Sequence, residues 1–230
     1  MKYRHLFFDL DHTLWDFEQN SRFTLLRLYE DFKLAEFNKF GPEDFYKKYK
    51  FINQQFWRLF ALGKVNQQEL RTGRFEQTFL KLGLKRNQIP AGISEAYTDL
   101  CPQQAAVFPH THDTLAYLKG KYTLHIITNG FPEIQAVKMQ SAGISGFFSE
   151  IITSACIDCQ KPDRRIFRHA LERSGATAPQ SLMIGDNLEA DVLGAKAAGL
   201  DQVFFNPEKH RHKHKPTYEI QCLSKLQELL

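Results

Sequence analysis

The chain is poor in the features that define several classes of protein. Cysteine is scarce, with four in 230 residues, which is too few for a disulfide scaffold. No apolar run approaches the roughly 18 residues of a transmembrane helix. The first apolar stretch is short and leads straight into Asp9 and Asp11, unlike the apolar core of a secretory signal. Low-complexity linkers and internal repeats are absent. Basic charge is neither large nor concentrated: the formal net charge is +4, with Lys and Arg spread along the chain. That argues against a nucleic-acid polymer and suits a small anionic partner. The expectation is a cytoplasmic globular protein, monomeric or a small homo-oligomer, with no membrane partner and enough chain for one large or two smaller cores.

What is present is organised around Arg4-His5-Leu6-Phe7-Phe8-Asp9-Leu10-Asp11-His12-Thr13-Leu14. Its apolar half reads as a strand buried on both faces. Two carboxylates at the end of such a strand belong where solvent or a ligand can meet them, and in an open α/β sheet that is the crevice beyond the strands' carboxyl ends. A strand continued through Asp9 and Asp11 would aim both side chains to one side. Close carboxylates repel, and a divalent cation or a shared proton is the usual remedy. An acidic turn after a strand is the plainer alternative.

From Asp16 to about Gln103 the pattern is helical. Phe23, Leu26 and Leu28 begin the apolar set of a first helix. Gly41-Pro42-Glu43-Asp44 opens a second, whose Phe45, Tyr49, Ile52, Phe56, Trp57 and Phe60 follow helical spacing. A third runs from about Asn66 to Leu82, and a fourth from Ile93 to Leu100. The aromatics Phe45, Phe51, Phe56, Trp57 and Phe60 are expected mainly as packing between these helices. Past Pro109, strands and helices alternate: strands Tyr122–Thr128, Ile151–Thr153, Ser181–Ile184 and Gln202–Phe205, with helices His110–Leu118, Ile134–Ala142, Asp163–Ser174 and one ending near Ala198. This order implies a doubly wound parallel α/β sheet, with core residues 1–15 and 104–230 and a helical insertion, residues 16–103, expected to form a lid over the crevice.

Each later strand end carries polar chemistry. Thr128-Asn129-Gly130 offers a hydroxyl, an amide and backbone N–H groups at a helix start. Lys161 precedes Pro162 and another helix. Gly185-Asp186-Asn187-Leu188-Glu189-Ala190-Asp191 is dense in hard oxygen ligands of the kind Mg²⁺ prefers. Taken singly, each has a plain reading as a turn, a surface lysine or a helix cap. Taken together and in order, they resemble the haloacid dehalogenase (HAD) superfamily of phosphatases with a helical cap. The likeness covers nearly the whole chain. Asp9-Leu10-Asp11-His12-Thr13-Leu14-Trp15 with Ile127-Thr128-Asn129-Gly130-Phe131 is similar to the branch that includes bacterial pyrimidine 5′-nucleotidases. The stretch Ala155-Cys156-Ile157-Asp158-Cys159-Gln160 before Lys161 departs from that branch, which has an acidic, Gly-containing loop there.

The resemblance implies a set of roles. Asp9 is the nucleophile, and Asp11 is the general acid and base. Mg²⁺ is held by Asp9, Asp186 and the backbone carbonyl of Asp11. Thr13 and Asp191 stand just behind the ligands. Thr128, Asn129, Gly130 and Lys161 hold the phosphoryl group of a small phosphomonoester, a nucleoside 5′-monophosphate first of all. A sugar-phosphate phosphatase, a phosphomutase, a haloacid dehalogenase and a non-enzymatic interaction protein are the alternatives. The Cys156/Cys159 pair and the stretch His210-Arg211-His212-Lys213-His214 invite a zinc or redox reading, but their spacing is far from that of a finger. A structural loop and a solvated basic loop are simpler.

Overall fold

A computed structural model describes residues 2–230, apart from the side chain of Cys156. The Cys156/Cys159 pair of the sequence analysis therefore lies partly outside the described residues. Six strands form one parallel sheet: β1 (His5–Phe8), β2 (Thr123–Thr128), β3 (Glu150–Thr153), β4 (Ser181–Gly185), β5 (Asp201–Phe205) and β6 (Tyr218–Ile220), in the order β3-β2-β1-β4-β5-β6. The helices are α1 (Phe17–Asp31), α2 (Pro42–Ala61), α3 (Gln67–Lys81), α4 (Ile93–Leu100), α5 (Thr111–Lys119), α6 (Pro132–Ser141), α7 (Arg164–Ser174), α8 (Gly194–Ala197) and α9 (Leu226–Leu229). None is long and apolar enough to cross a membrane. The sheet has the parallel α/β form that its alternating strands and helices imply. The apolar residues of β1, β2 and β4 are buried on both faces, and one face packs Phe7, Ile127 and Met183 against Ile166, Phe167 and Ala170 of α7. Register sets the strand ends level, with Phe8 opposite both Ile126 and Ile184.

β1 ends with the apolar run, and of the two readings of Asp9 and Asp11 it is the acidic turn that forms. It stops at Phe8 because the Leu10 carbonyl gathers the N–H groups of Thr13, Leu14 and Trp15, and His12 takes a left-handed φ of 62°. Asp9 and Asp11 therefore stand on a tight loop rather than on one strand face. β6 and α9 have no counterpart in the sequence reading. Each is three or four residues long, too short to show a period.

By contact density the chain falls into two compact units, Met1–Phe17 with Ala105–Leu230, and Glu18–Gln104. In the first unit, the segments bordering the excursion are stitched to each other: Asp16 N–H donates to Ala106, Phe108 N–H donates to Leu14, and Trp15 bridges Val107. The second unit is a helical bundle in which Phe45 and Phe79 stack at 5.3 Å and Tyr49 meets Phe75 at 4.7 Å. Asn66 caps α3 by accepting from Glu69 N–H, and Glu69 returns a bond to Asn66 N–H, a reciprocal capping box. The aromatic set of α2 needs a correction. Phe45, Tyr49 and Ile52 are buried, whereas Phe56, Trp57 and Phe60 are half-exposed and Phe51 is 57% exposed. At about 100° per residue, Phe51 falls about 120° around the helix from Phe45. Phe23 of α1 is likewise exposed, and the buried face there is Ser21, Thr24, Leu25 and Leu28.

His125 gives the sheet a pH response. It is buried in β2, stacks on Phe7 at 4.8 Å, and its Nε2 lies 3.1 Å from Nδ1 of His5, while its own Nδ1 has no hydrogen-bond partner among the described residues. Burial, reinforced by the neighbouring His5 and opposed by Glu150, lowers its pKa to about 4. The folded state thus favours the neutral ring. The stabilisation is complete above the unfolded value near 6.5 and is lost as pH falls toward 4, by about 3 kcal/mol. Urea unfolding of wild type and His125→Leu between pH 7 and 4 should show wild type losing that much more stability. Parallel pH dependences would disprove the assignment.

Candidate active site

The level strand ends bring the expected polar residues of the sheet to one edge. Asp9 follows β1, its N–H donating to Ile184 of the neighbouring strand at 2.9 Å. Its Oδ1 accepts from Nζ of Lys161 at 2.7 Å. The same ammonium donates to Oδ1 of Asp191 at 2.6 Å and to the Ile127 carbonyl at 2.8 Å, so all three of its protons have acceptors. The backbone of Lys161 is clamped by the Asn129 amide, which donates to its carbonyl at 3.0 Å and accepts from its N–H at 2.8 Å. That clamp places the lysine, although it lies on a long loop after β3.

After β4, Asp186 is tied to the β1 loop. Thr13 Oγ1 donates to Asp186 Oδ1 and accepts from Asp186 N–H, both at 3.0 Å. Asp191 is fully buried in the wide π-type turn Leu188–Leu193, and its second oxygen accepts from Asn187 N–H at 3.0 Å. Gly185 makes this possible, since a Cβ there would lie 2.3 Å from Asp191 Oδ2 and 2.4 Å from its Cγ. After β2, Thr128 Oγ1 accepts from Gly130 N–H at 3.1 Å and from Gln135 Nε2 at 2.7 Å. The Asn129 amide and the Gly130 N–H, read from the sequence as groups facing a substrate, are thus turned onto Lys161 and Thr128.

The electrostatics are those of a site short of positive charge. Carboxylate oxygens of Asp9, Asp186 and Asp191 lie within 4.8 Å of one another, the single such group of three metal-type ligands among the described residues. Lys161 is the cation at the cluster, and its own pKa is raised by Asp191 and Asp9 in spite of burial. Burial drives the Asp9 pKa up to about 7, with Lys161 opposing and Asp191 adding to the rise. Asp186 is raised well above the carboxylate range, first by burial and then by Asp9 and Asp191. Hard oxygens with surplus negative charge fit a divalent cation such as Mg²⁺.

Asp11 stands apart from this cluster. Its Oδ1 accepts from Nζ of Lys138 at 2.6 Å and its Oδ2 from Nε2 of Gln135 at 2.8 Å. Burial would raise its pKa, but the charge of Lys138 and these two bonds outweigh it and the net direction is down. The sequence reading missed Gln135 and Lys138. Their spacing of three on the helix opening after Asn129-Gly130 was the available signal, because it puts both on one face. Among the described residues, the histidine stretch forms no group of three metal-type ligands. His210 and His212 face Glu208 and Glu219, at 3.0 and 3.1 Å, and Cys159 is a buried free thiol.

A parallel sheet whose strand ends converge on a carboxylate, a buried lysine and two further acids makes an α/β protein with an acidic centre fit to accept a cation. Residues 3–199 match the haloacid dehalogenase-like hydrolase family, and the chain belongs to it. YfnB of Bacillus subtilis, a HAD-hydrolase, is 32% identical over 100% of this chain and 96% of its own. Its crystal structure, bound to magnesium and revealing interdomain movement, superposes with a TM-score of 0.87 and covers 100% of this chain and 99% of that one. The pyrimidine 5′-nucleotidase PynA of Streptococcus pneumoniae is 31% identical, covering 96% of this chain and 92% of its own. The pyrimidine 5′-nucleotidase YjjG of Escherichia coli is 31% identical, covering 100% and 99%.

The contact between Gly185 and Asp191 is directly testable. Gly185→Ala should cost about 1–3 kcal/mol, as overpacking does, and should lower turnover by pushing Asp191 off Lys161. Denaturant unfolding and a phosphatase assay on the same preparation read both effects. Wild-type values in both would mean that Asp191 retreats without consequence.

Proposed function

We propose that the protein is a Mg²⁺-dependent phosphomonoester hydrolase acting through an aspartyl-phosphate on Asp9, with nucleoside 5′-monophosphates, pyrimidine ones first, as substrates. The observation that carries this reading is the carboxylate of Asp9, with one oxygen pinned by a buried lysine beside two further acids. The pinned oxygen orients the group and leaves the other to attack phosphorus. As the bond from phosphorus to the leaving oxygen breaks, the protonated form of Asp11 gives its proton to that oxygen. Asp11 then takes a proton from the water that attacks the phosphoenzyme, releasing inorganic phosphate and restoring Asp9.

Thr128 Oγ1 accepts two hydrogen bonds, so its own proton is available to a phosphoryl oxygen. Lys161 supplies positive charge where the transferring oxygens carry negative charge. Asp191 holds Lys161 in place from behind. Mg²⁺, held by the carboxylates of Asp9 and Asp186 and the backbone carbonyl of Asp11, would supply the neutralisation that lets one anion approach another. An acid at position 11 favours phosphoryl transfer over dehalogenation, which attacks carbon and needs no such group. The pyrimidine preference is supported by the two full-length relatives bearing that activity in their names and by the motif spelling around Trp15 and Phe131. The departure before Lys161 keeps sugar phosphates as the second reading.

Asp9→Asn should abolish turnover, and chelation by EDTA should do so reversibly on return of Mg²⁺, with circular dichroism unchanged in both. Near-normal turnover by Asp9→Asn would end the nucleophile assignment. UMP, dUMP or dTMP should exceed glucose 6-phosphate in kcat/KM by about 10–200-fold, the range of apolar pocket discrimination. Equal rates across that panel would leave a phosphatase without nucleotide preference.

A further inference from the structure

We infer that Lys138 and Gln135, one turn of α6, are positioning residues that hold the Asp11 carboxylate in its working orientation; the inference rests on the acid/base role proposed for Asp11. Lysine is seldom buried unless paired, yet Lys138 is only 7% exposed. Among the described residues, the carboxylate it meets is Asp11, at 2.6 Å. The rest of its ammonium is covered by aromatic faces, Trp15 at 4.6 Å and Phe17 at 5.8 Å from the ring centroids. Those rings replace water with a weaker cation–π attraction, so the charge is directed at Asp11 rather than shared with solvent.

Gln135 completes the clamp. It is fully buried, and its Nε2 donates both to Asp11 Oδ2 at 2.8 Å and to Thr128 Oγ1 at 2.7 Å. An amide nitrogen has two protons to give, and both are used here. Its Oε1 has no hydrogen-bond partner among the described residues, so a buried acceptor stays unpaired while the amide serves Asp11 and Thr128. Gly130 makes the room, since a Cβ there would lie 2.1 Å from Gln135 Nε2. Each oxygen of Asp11 therefore has its own buried donor, which removes rotation about the Cβ–Cγ bond. The same amide ties that orientation to the threonine hydroxyl at the neighbouring strand end. A fixed angle matters because an ionised Asp11 takes a proton from the attacking water, and proton transfer depends steeply on position.

An ordinary buried ion pair would stabilise the fold equally whether or not Asp11 does chemistry, and a double-mutant cycle separates the two cases. Wild type, Lys138→Met, Asp11→Asn and the double variant are assayed on p-nitrophenyl phosphate with Mg²⁺, which makes the test independent of the natural substrate. Lys138→Met is expected to lower kcat by about 10–100-fold with KM within about twofold, the scale of a misplaced catalytic group. In the Asp11→Asn background it should cost less than about twofold, and Lys138→Arg should recover most of the loss. If Lys138→Met does not fold, as judged by circular dichroism, Lys138→Gln takes its place in the same cycle. Equal losses in both backgrounds, or no loss in the wild-type background, would overturn the positioning role while leaving the phosphatase reading intact. Wild-type turnover by Asp11→Asn would instead overturn the acid/base role, and this inference with it.

Discussion

Lys161 keeps a full charge on a side chain that is 3% exposed, and it can do so only because Asp9, Asp191 and the Ile127 carbonyl surround it. The dependence runs both ways. Two buried carboxylates turned toward one another without that ammonium would repel, and removing one partner of such a group costs several kcal/mol. The Asn129 clamp on the Lys161 backbone, the glycine at 185 that admits Asp191, and the π-type turn that swings Asp191 inward all serve the same contact. The site is therefore a balance of charge first, and its chemistry follows from which charges remain uncompensated.

That balance explains how the work is divided among the acids. Asp191 spends both oxygens inside the protein, on Lys161 and on Asn187 N–H. Asp186 is anchored at Thr13 but sits in surplus negative charge. Asp9 has one oxygen committed to Lys161. Asp11 belongs to a separate electrostatic neighbourhood, governed by Lys138, so two carboxylates two residues apart are subject to opposite influences: one is pushed up by burial, the other held down by a cation. Environment, rather than residue type, makes them different.

Much of this was legible in the sequence because it depends on short-range pattern. Strands β1, β2 and β4 are apolar runs ending in polar clusters, and level register makes their ends neighbours without further information. The parallel order followed from the alternation of strands and helices. What was not legible depends on long-range placement. The stop of β1 at Phe8 comes from three N–H groups converging on one carbonyl, which no periodicity encodes. Gln135 and Lys138 read as ordinary surface residues of a helix until the fold lays that face against Asp11. Phe51 and Phe23 counted as core because they are aromatic, yet the helical angle turns them outward. β6 and α9 are too brief to carry a signal; β6 holds its place by pairing with β5, and α9 packs against α5.

The stitching of Leu14–Asp16 to Ala106–Phe108 has a consequence for how such a protein can change over time. The chain leaves and re-enters the sheet unit through neighbouring segments already bonded to one another, so the excursion between them is closed at its base. A closed base lets the intervening residues be lengthened, shortened or replaced while the sheet unit keeps its own hydrogen bonds. Recombination can therefore treat the helical unit as a cassette.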